Sequence, residues 1–543
     1  MFRKYIAVLI LLPQIGLVRK SGNGSFFGMD IAAASTIDAV PIAASTFLGG
    51  SRTDDNYEPS LALDRDGHVF VSGFTGSPDF PVAASAFSSK FNGGATDRFI
   101  ARFGESLQSL NASTFIGGGG LAAGFVGGNG DEYGHGIALD KNGHVFIAGY
   151  TESPDYPVTE NGYNKTHNGG RDVAISKFNH DLTRLLASTF VGGCGDEGYQ
   201  WPRIDIKVDD EGNVYVAGIT HSVDFPVSRK SFDPAYNGGP GSGDVFVIKL
   251  DNDLTTLKAS TFLGGAGDEW RVSIELGRKG EVIVCGETAS ADFPVTTDAY
   301  NRTFNGGTDI FISKLDGDLA GLTSSTFFGG SRPEEAIAVS VSEDDDVYIT
   351  GYTESTDFPV TSGVFSPRWN GGDRDAYIAV FDSCLSRLKA STLIGGEAVD
   401  FSRSIRVVED AVLIVGNTNS KNFPVTAESF SSRYQGGSRR GDGFISVFDR
   451  PLKRLLYSSY FGGGADDTPC DMELDAEGRV IITGITTSSD FPTTGDSFQK
   501  KYNGGETDCF VVMFKFNPVR GGPVNSGRFS PSVERRGPAR AGK

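Results

Sequence analysis

The sequence predicts an all-β chain: one seven-bladed β-propeller of four-stranded antiparallel blades. Three observations carry this. The phrase STFLGG at 45–50 returns as STFIGG, STFVGG, STFLGG, STFFGG, STLIGG and SSYFGG near 113, 188, 260, 325, 391 and 458. A DFPV-like phrase recurs at 79, 155, 224, 292, 357, 422 and 490, and NGG or QGG follows it each time. With 73 Gly and 40 Phe against only 4 Met, the composition suits short strands and tight turns.

Each unit lays out four strand-like runs and one long loop. In the second unit, strand A is GIALD (136–140) and strand B is HVFIAGYT (144–151). A polar loop leads to strand C, VAISKFN (173–179), and then to strand D, RLLASTFVGG (184–193). β-branched and aromatic residues fill the B runs, such as Val69–Gly73, Val145–Gly149 and Val214–Gly218. Both alternating sets are mostly apolar, so both sheet faces require cover. Gly67, Gly143 and Gly212 stand where the A–B hairpin needs positive φ. Sheets apolar on both faces stack radially, and seven copies make seven blades.

The last unit has strands A, B and C (Asp471–Asp475, Val480–Ile485, Phe510–Phe516) but no D. An orphan D strand, about 43–48, opens the chain. The ring should therefore close by pairing it with the final run, about 508–516, which removes two exposed edges. The domain organisation follows: 1–40 as a leader, 41–517 as the propeller, 518–543 as a Gly/Pro/Arg-rich tail.

The repeats LDRDGHVFVSGFTGSPDFPV, VDDEGNVYVAGITHSVDFPV and LDAEGRVIITGITTSSDFPT, followed by NGG and D-x-F, resemble the bacterial seven-bladed propeller (SBBP) repeats over about residues 43–516. The resemblance implies an exported or cell-surface bacterial protein and supplies no catalytic residues. The sixth unit departs most, with Asn422, Gln435 and a short Glu409-Asp410 turn, and its blade is expected to be irregular.

Bulk properties narrow the function. A net charge of −19 argues against nucleic-acid binding. Five cysteines without a CxxC exclude a zinc knuckle or disulfide framework. Cys470 and Cys509 share the last unit, and burial as free thiols is favoured over a bridge. Arg3 and Lys4 precede an apolar run from Tyr5 to Val18, which reads as a signal-peptide core, with an uncleaved anchor as the alternative. Location is therefore expected to be secreted, periplasmic or cell-surface, with no other integral membrane segment.

In a propeller the D–A and B–C loops share one face. Every D–A loop here is acidic, through Asp54, Asp131, Asp196, Asp268, Glu334, Asp400 and Asp466. Turn capping is the leading reading of these carboxylates. The second is a cation site, with Ca²⁺ as the hard cation that fits oxygen donors. The B–C loops carry Phe80, Phe225, Phe293 and Phe358, expected to tuck inward. An Asp before each strand C should tie down the Asn-Gly-Gly amides.

Function is sought where the repeats differ. Trp201, Arg203, Trp270 and Arg271 place aromatics and cations beside carboxylates at the expected channel mouth, which suits a protein or carbohydrate ligand. An expanded loop at 117–134 adds to that face. All six histidines (68, 135, 144, 167, 180, 221) fall in the first three units without metal-ligand spacing and read as surface residues. No nucleophile–base pair, HExxH or GxSxG occurs. The expectation is a binding or scaffold protein, the alternative a polysaccharide lyase or glycosidase.

Overall fold

The computed structural model describes residues 40–55, 58–118, 131–198, 203–239, 241 and 243–516. The leader and the tail lie outside them. The described residues form 28 strands and no α-helix, arranged as seven antiparallel four-stranded sheets.

Within each blade the four strands are sequential neighbours, as in β6 (Glu132–Leu139), β7 (Val145–Thr151), β8 (Asp172–Phe178) and β9 (Leu185–Val191). Every residue of β7 is buried, which explains why its run is apolar at both parities. Hydrophobic clusters fill the seven junctions between blades. One joins Leu61, Val69 and Phe99 of the first blade to Cys509 and Val511 of the last. The hairpin glycines Gly67, Gly143 and Gly212 have φ of +78°, +78° and +86°.

Ring closure occurs as expected. β1 (Ile42–Leu48) pairs antiparallel with β28 (Asp508–Lys515), with Thr46 opposite Val511 and Phe47 opposite Phe510. The last B–C loop reinforces it, since Phe47 N donates to Gln499 O at 3.1 Å.

The sixth blade is not irregular. β22 (Asp400–Val408) and β23 (Ala411–Thr418) pair along their length across the short turn. Asn422 accepts Glu397 N at 2.9 Å, the role Asp224 and Asp292 play toward Cys194 and Ala266. The Gln435 amide reaches Gly462 O. Each substituted side chain keeps the acceptor or donor its position requires.

Five blades share a kink where the ladder between strands A and B slips, as between Trp270 and Ser273. Such a bulge re-aims the intervening side chains. In three blades a residue in the slip, Arg271, Arg403 or Cys470, lines the central cavity.

Candidate functional site

Two sets of groups occupy the D–A face. The first is structural and repeats. In every blade an acid at the start of strand A is fully buried and accepts hydroxyl protons from the end of strand B. Glu269 accepts from Thr288 Oγ1 at 2.7 Å and Ser290 Oγ at 2.6 Å. Glu197 takes Thr220 and Ser222 in the same way, and Asp467 takes Thr486 and Ser488. Asp54, Glu334 and Asp400 are the members of this set named from the sequence. They cap Gly50, Gly330 and Gly396 N–H groups and the matching Thr hydroxyls.

Each buried acid faces a second one, the Asp that opens strand C of the preceding blade. Glu269 meets Asp244, Glu132 meets Asp97, and Asp54 meets Asp508 across the closure. The Asp also ties the Asn-Gly-Gly loop, as Asp244 Oδ2 does for Asn237 N at 2.7 Å. The two facing oxygens, Asp244 Oδ1 and Glu269 Oε2, are buried without a hydrogen-bond partner. Burial pushes Asp244 to about 7 and Glu269 to about 8. A proton held between them satisfies both. A Cβ on Gly264 would collide with both carboxyls, and one on Gly265 with Ser290 and Asp292. The repeated GG is therefore a requirement for close approach.

Asp131, Asp268 and Asp466 sit one residue before the buried acid and cap the neighbouring loop. Asp466 Oδ1 accepts Arg440 N and Gly441 N, both at 2.9 Å; Asp268 Oδ1 accepts Gly241 N at 2.8 Å, and Asp131 Oδ1 accepts Ala95 N at 2.8 Å. Asp196 sits beside Arg171 in a short bridge. The seven acids are thus engaged at separate junctions, and none lines the central cavity.

The second set does not repeat. The first strands of the blades enclose a cavity of about 860 Å³ along the axis. At its D–A end, guanidiniums from three blades converge on one carboxylate, Glu58. Arg403 Nη1 lies 2.6 Å from Glu58 Oε1, Arg271 Nη1 3.5 Å from the same oxygen, and Arg203 Nη1 3.5 Å from Oε2. Arg440 joins this lining. Glu58, Arg203 and Arg271 each stand two residues before Ser60, Asp205 and Ser273, where pairing with strand B begins or resumes. Arg271 adopts φ +49°, a left-handed conformation forced by its bulge.

The charges there are unevenly matched. Arg271 also pairs through Nε with Glu335. Glu287 lies 3.8 Å away, but burial and then the Glu335 charge push its carboxyl well above the usual range. Arg440 is depressed by burial and next by the Arg403 charge. Deeper in, Lys207 and Arg406 face Asp205, Glu275, Asp471 and Glu473. The far rim carries Asp64, Asp66, Glu105, Asp475 and Glu477 against one cation, Arg65. The channel therefore runs from a cationic mouth to an acidic exit.

Of the ligand residues expected from sequence, Arg203 and Arg271 line the cavity. Trp270 is half-buried on β14 (Glu269–Leu276) and does not line it. Trp201, with Tyr199 and Gln200, lies outside the described residues, as do 119–130 of the expanded loop and the His135 side chain. Glu58, Arg403 and Arg440 were not anticipated. A weak signal existed for Arg403, a charged residue where the last blade carries Cys470 and the fourth Val272. All five cysteines are free thiols, Cys470 and Cys509 included. Phe80, Phe225 and Phe293 are each 2% exposed, packed beneath their loops.

No family model matches the chain, and no curated protein does. Solved structures of similar path include a protein of unknown function from Dyadobacter fermentans, at 13% identity and TM-score 0.38, covering 70% of this chain and 93% of that one. An ulvan lyase bound to a GlcA–Rha3S ligand is similar at 11% identity and TM-score 0.41, covering 86% and 96%. A quinohemoprotein alcohol dehydrogenase from Comamonas testosteroni is similar at 11% identity and TM-score 0.41, covering 90% and 78%. At these identities their activities attach to those proteins alone.

Proposed function

We propose that this chain is an exported propeller of the SBBP-repeat kind that binds an anionic ligand at its channel mouth. The ligand carries carboxylate or sulfate groups, as an acidic glycan or an acidic peptide does. One observation carries the reading: Arg203, Arg271, Arg403 and Arg440 line one end of the cavity of a chain whose net charge is −19. Guanidinium forks match carboxylate and sulfate oxygens, and a walled site strengthens the attraction. Glu58 serves as the resident counter-ion, which an incoming anion displaces or joins.

The test is a binding panel at two salt concentrations. Probes are a sulfated oligosaccharide, oligogalacturonate, oligoglutamate and neutral dextran. Saturable, salt-sensitive binding of an anionic probe, lost in an Arg271→Gln/Arg403→Gln variant that still melts cooperatively, supports the reading. Equal binding of dextran, or no binding by any anion, overturns it.

A further inference from the structure

We infer that Asp64, His68 and His180 form a binding site for a divalent transition metal, Zn²⁺ or Co²⁺ in type, on the rim opposite the arginine mouth. Sequence spacing conceals it, because Asp64 and His180 are 116 residues apart. Asp64 follows β2 (Ser60–Leu63) in the first blade, and His180 lies in the turn after β8 of the second. The fold brings one ligand atom of each residue within 4.8 Å of the others, and no other such group of three occurs among the described residues.

The geometry is close to a coordination set. His68 Nδ1 lies 2.7 Å from Asp64 Oδ2, and His180 Nε2 lies 2.8 Å from the same oxygen. Two imidazole nitrogens thus converge on one carboxylate oxygen. A metal at ~2.0–2.2 Å from each requires that they spread by a few tenths of an ångström. The Asp64 carboxylate is fixed from its other side, where Oδ1 accepts Asp66 N and His68 N, both at 2.9 Å. His180 is fixed edge-on to Phe70, with ring centroids 5.5 Å apart. Two His and one carboxylate, with the imidazoles about one-third exposed, leave a fourth position for water.

Metal binding exchanges tautomers. Without metal, His180 Nδ1 faces Arg102 Nη1 and its Nε2–H donates to Asp64. With metal on Nε2, the proton sits on Nδ1, and Arg102 Nη1 must withdraw from that nitrogen. Arg102 keeps Asp181 at 2.8 Å and the His180 carbonyl at 3.1 Å.

The neighbouring blade supplies an internal control. Asp140 and His144 repeat the pair at 2.9 Å, but Asn252 stands where His180 would. One blade further, Asn213 replaces the turn His against Asp209. The fold therefore accepts Asn at both positions.

The experiment titrates the chelator-treated full chain with Co²⁺, reading visible d–d absorption, and then displaces it with Zn²⁺. One equivalent with a tetrahedral-type spectrum is expected, together with a raised melting temperature. His68→Asn and His180→Asn, each melting as the metal-free parent does, should lose both effects, while His144→Asn keeps them. Absence of a Co²⁺ spectrum and of a melting shift, or retention of both in the His68→Asn/His180→Asn double variant, overturns the site and leaves a hydrogen-bonded Asp–His clamp.

Discussion

Replacing Glu269 by Gln should make the protein less sensitive to alkali. Glu269 Oε1 accepts Thr288 and Ser290 hydroxyls, while Oε2 faces Asp244 Oδ1 without a donor. Gln keeps the first oxygen and places an N–H₂ where the proton must otherwise sit. Burial raises Glu269 from 4.5 to about 8, so the folded chain keeps a proton that the unfolded chain releases. Stability from this group is greatest below pH 4.5 and falls as pH rises through 8. Relative to acid solution, the stability lost through this group is ~1 kcal/mol at pH 5 and ~4 kcal/mol at pH 8. Urea midpoints of the parent and Glu269→Gln at pH 5 and pH 8 test this. The parent should lose stability across that interval, and the variant should lose roughly 3 kcal/mol less. Parallel losses in the two proteins, or a parent more stable at pH 8, would refute the shared-proton account.

Other outcomes follow from the packing. Deleting residues 41–50 removes β1 and exposes the edge of β28, so the protein should aggregate or lose its cooperative melt; an unchanged melt contradicts the closure. Phe225 stacks on Phe246 at 4.7 Å under its loop, and Phe225→Ala should cost about 3–5 kcal/mol in a urea titration. Arg98 is wholly buried at a position that Val173 and Val245 fill in the next two blades, and its Nε and Nη1 find no hydrogen-bond partner. Arg98 Nη2 donates to the Ala148 carbonyl, at 2.8 Å, and burial is the main influence on its charge; Arg98→Val should therefore raise the melting temperature, and a lowered one would contradict this reading.

The blades and the closure were legible because the code for them is local and repeated. Val145–Thr151 alternates nothing, and only a sheet covered on both faces buries such a run. The Asp before each strand C was legible because every copy meets the amides of an Asn-Gly-Gly or, in the sixth blade, a Gln-Gly-Gly turn. Its second role was not, because its carboxyl partner comes from the next blade. The acidic D–A loops suggested a crowd of charge at one mouth. The structure distributes them, since a Thr hydroxyl at the end of each strand B, joined in five blades by a Ser, claims the buried acid. The channel was only half legible: Arg203 and Arg271 stood out beside aromatics, whereas Glu58 and Arg403 meet 345 residues apart through ring geometry alone. His68 and His180 were hidden for the same reason.

The most direct test of the anionic-ligand account is the affinity of an anionic probe for Glu58→Gln and Arg403→Gln beside the parent, measured calorimetrically at low salt. Glu58→Gln removes the resident counter-ion from three guanidiniums, and binding should tighten about tenfold, or ~1.4 kcal/mol. Arg403→Gln should weaken it by a similar factor. Affinities unchanged in both variants, or weakened by Glu58→Gln, would contradict an anion site at the channel mouth.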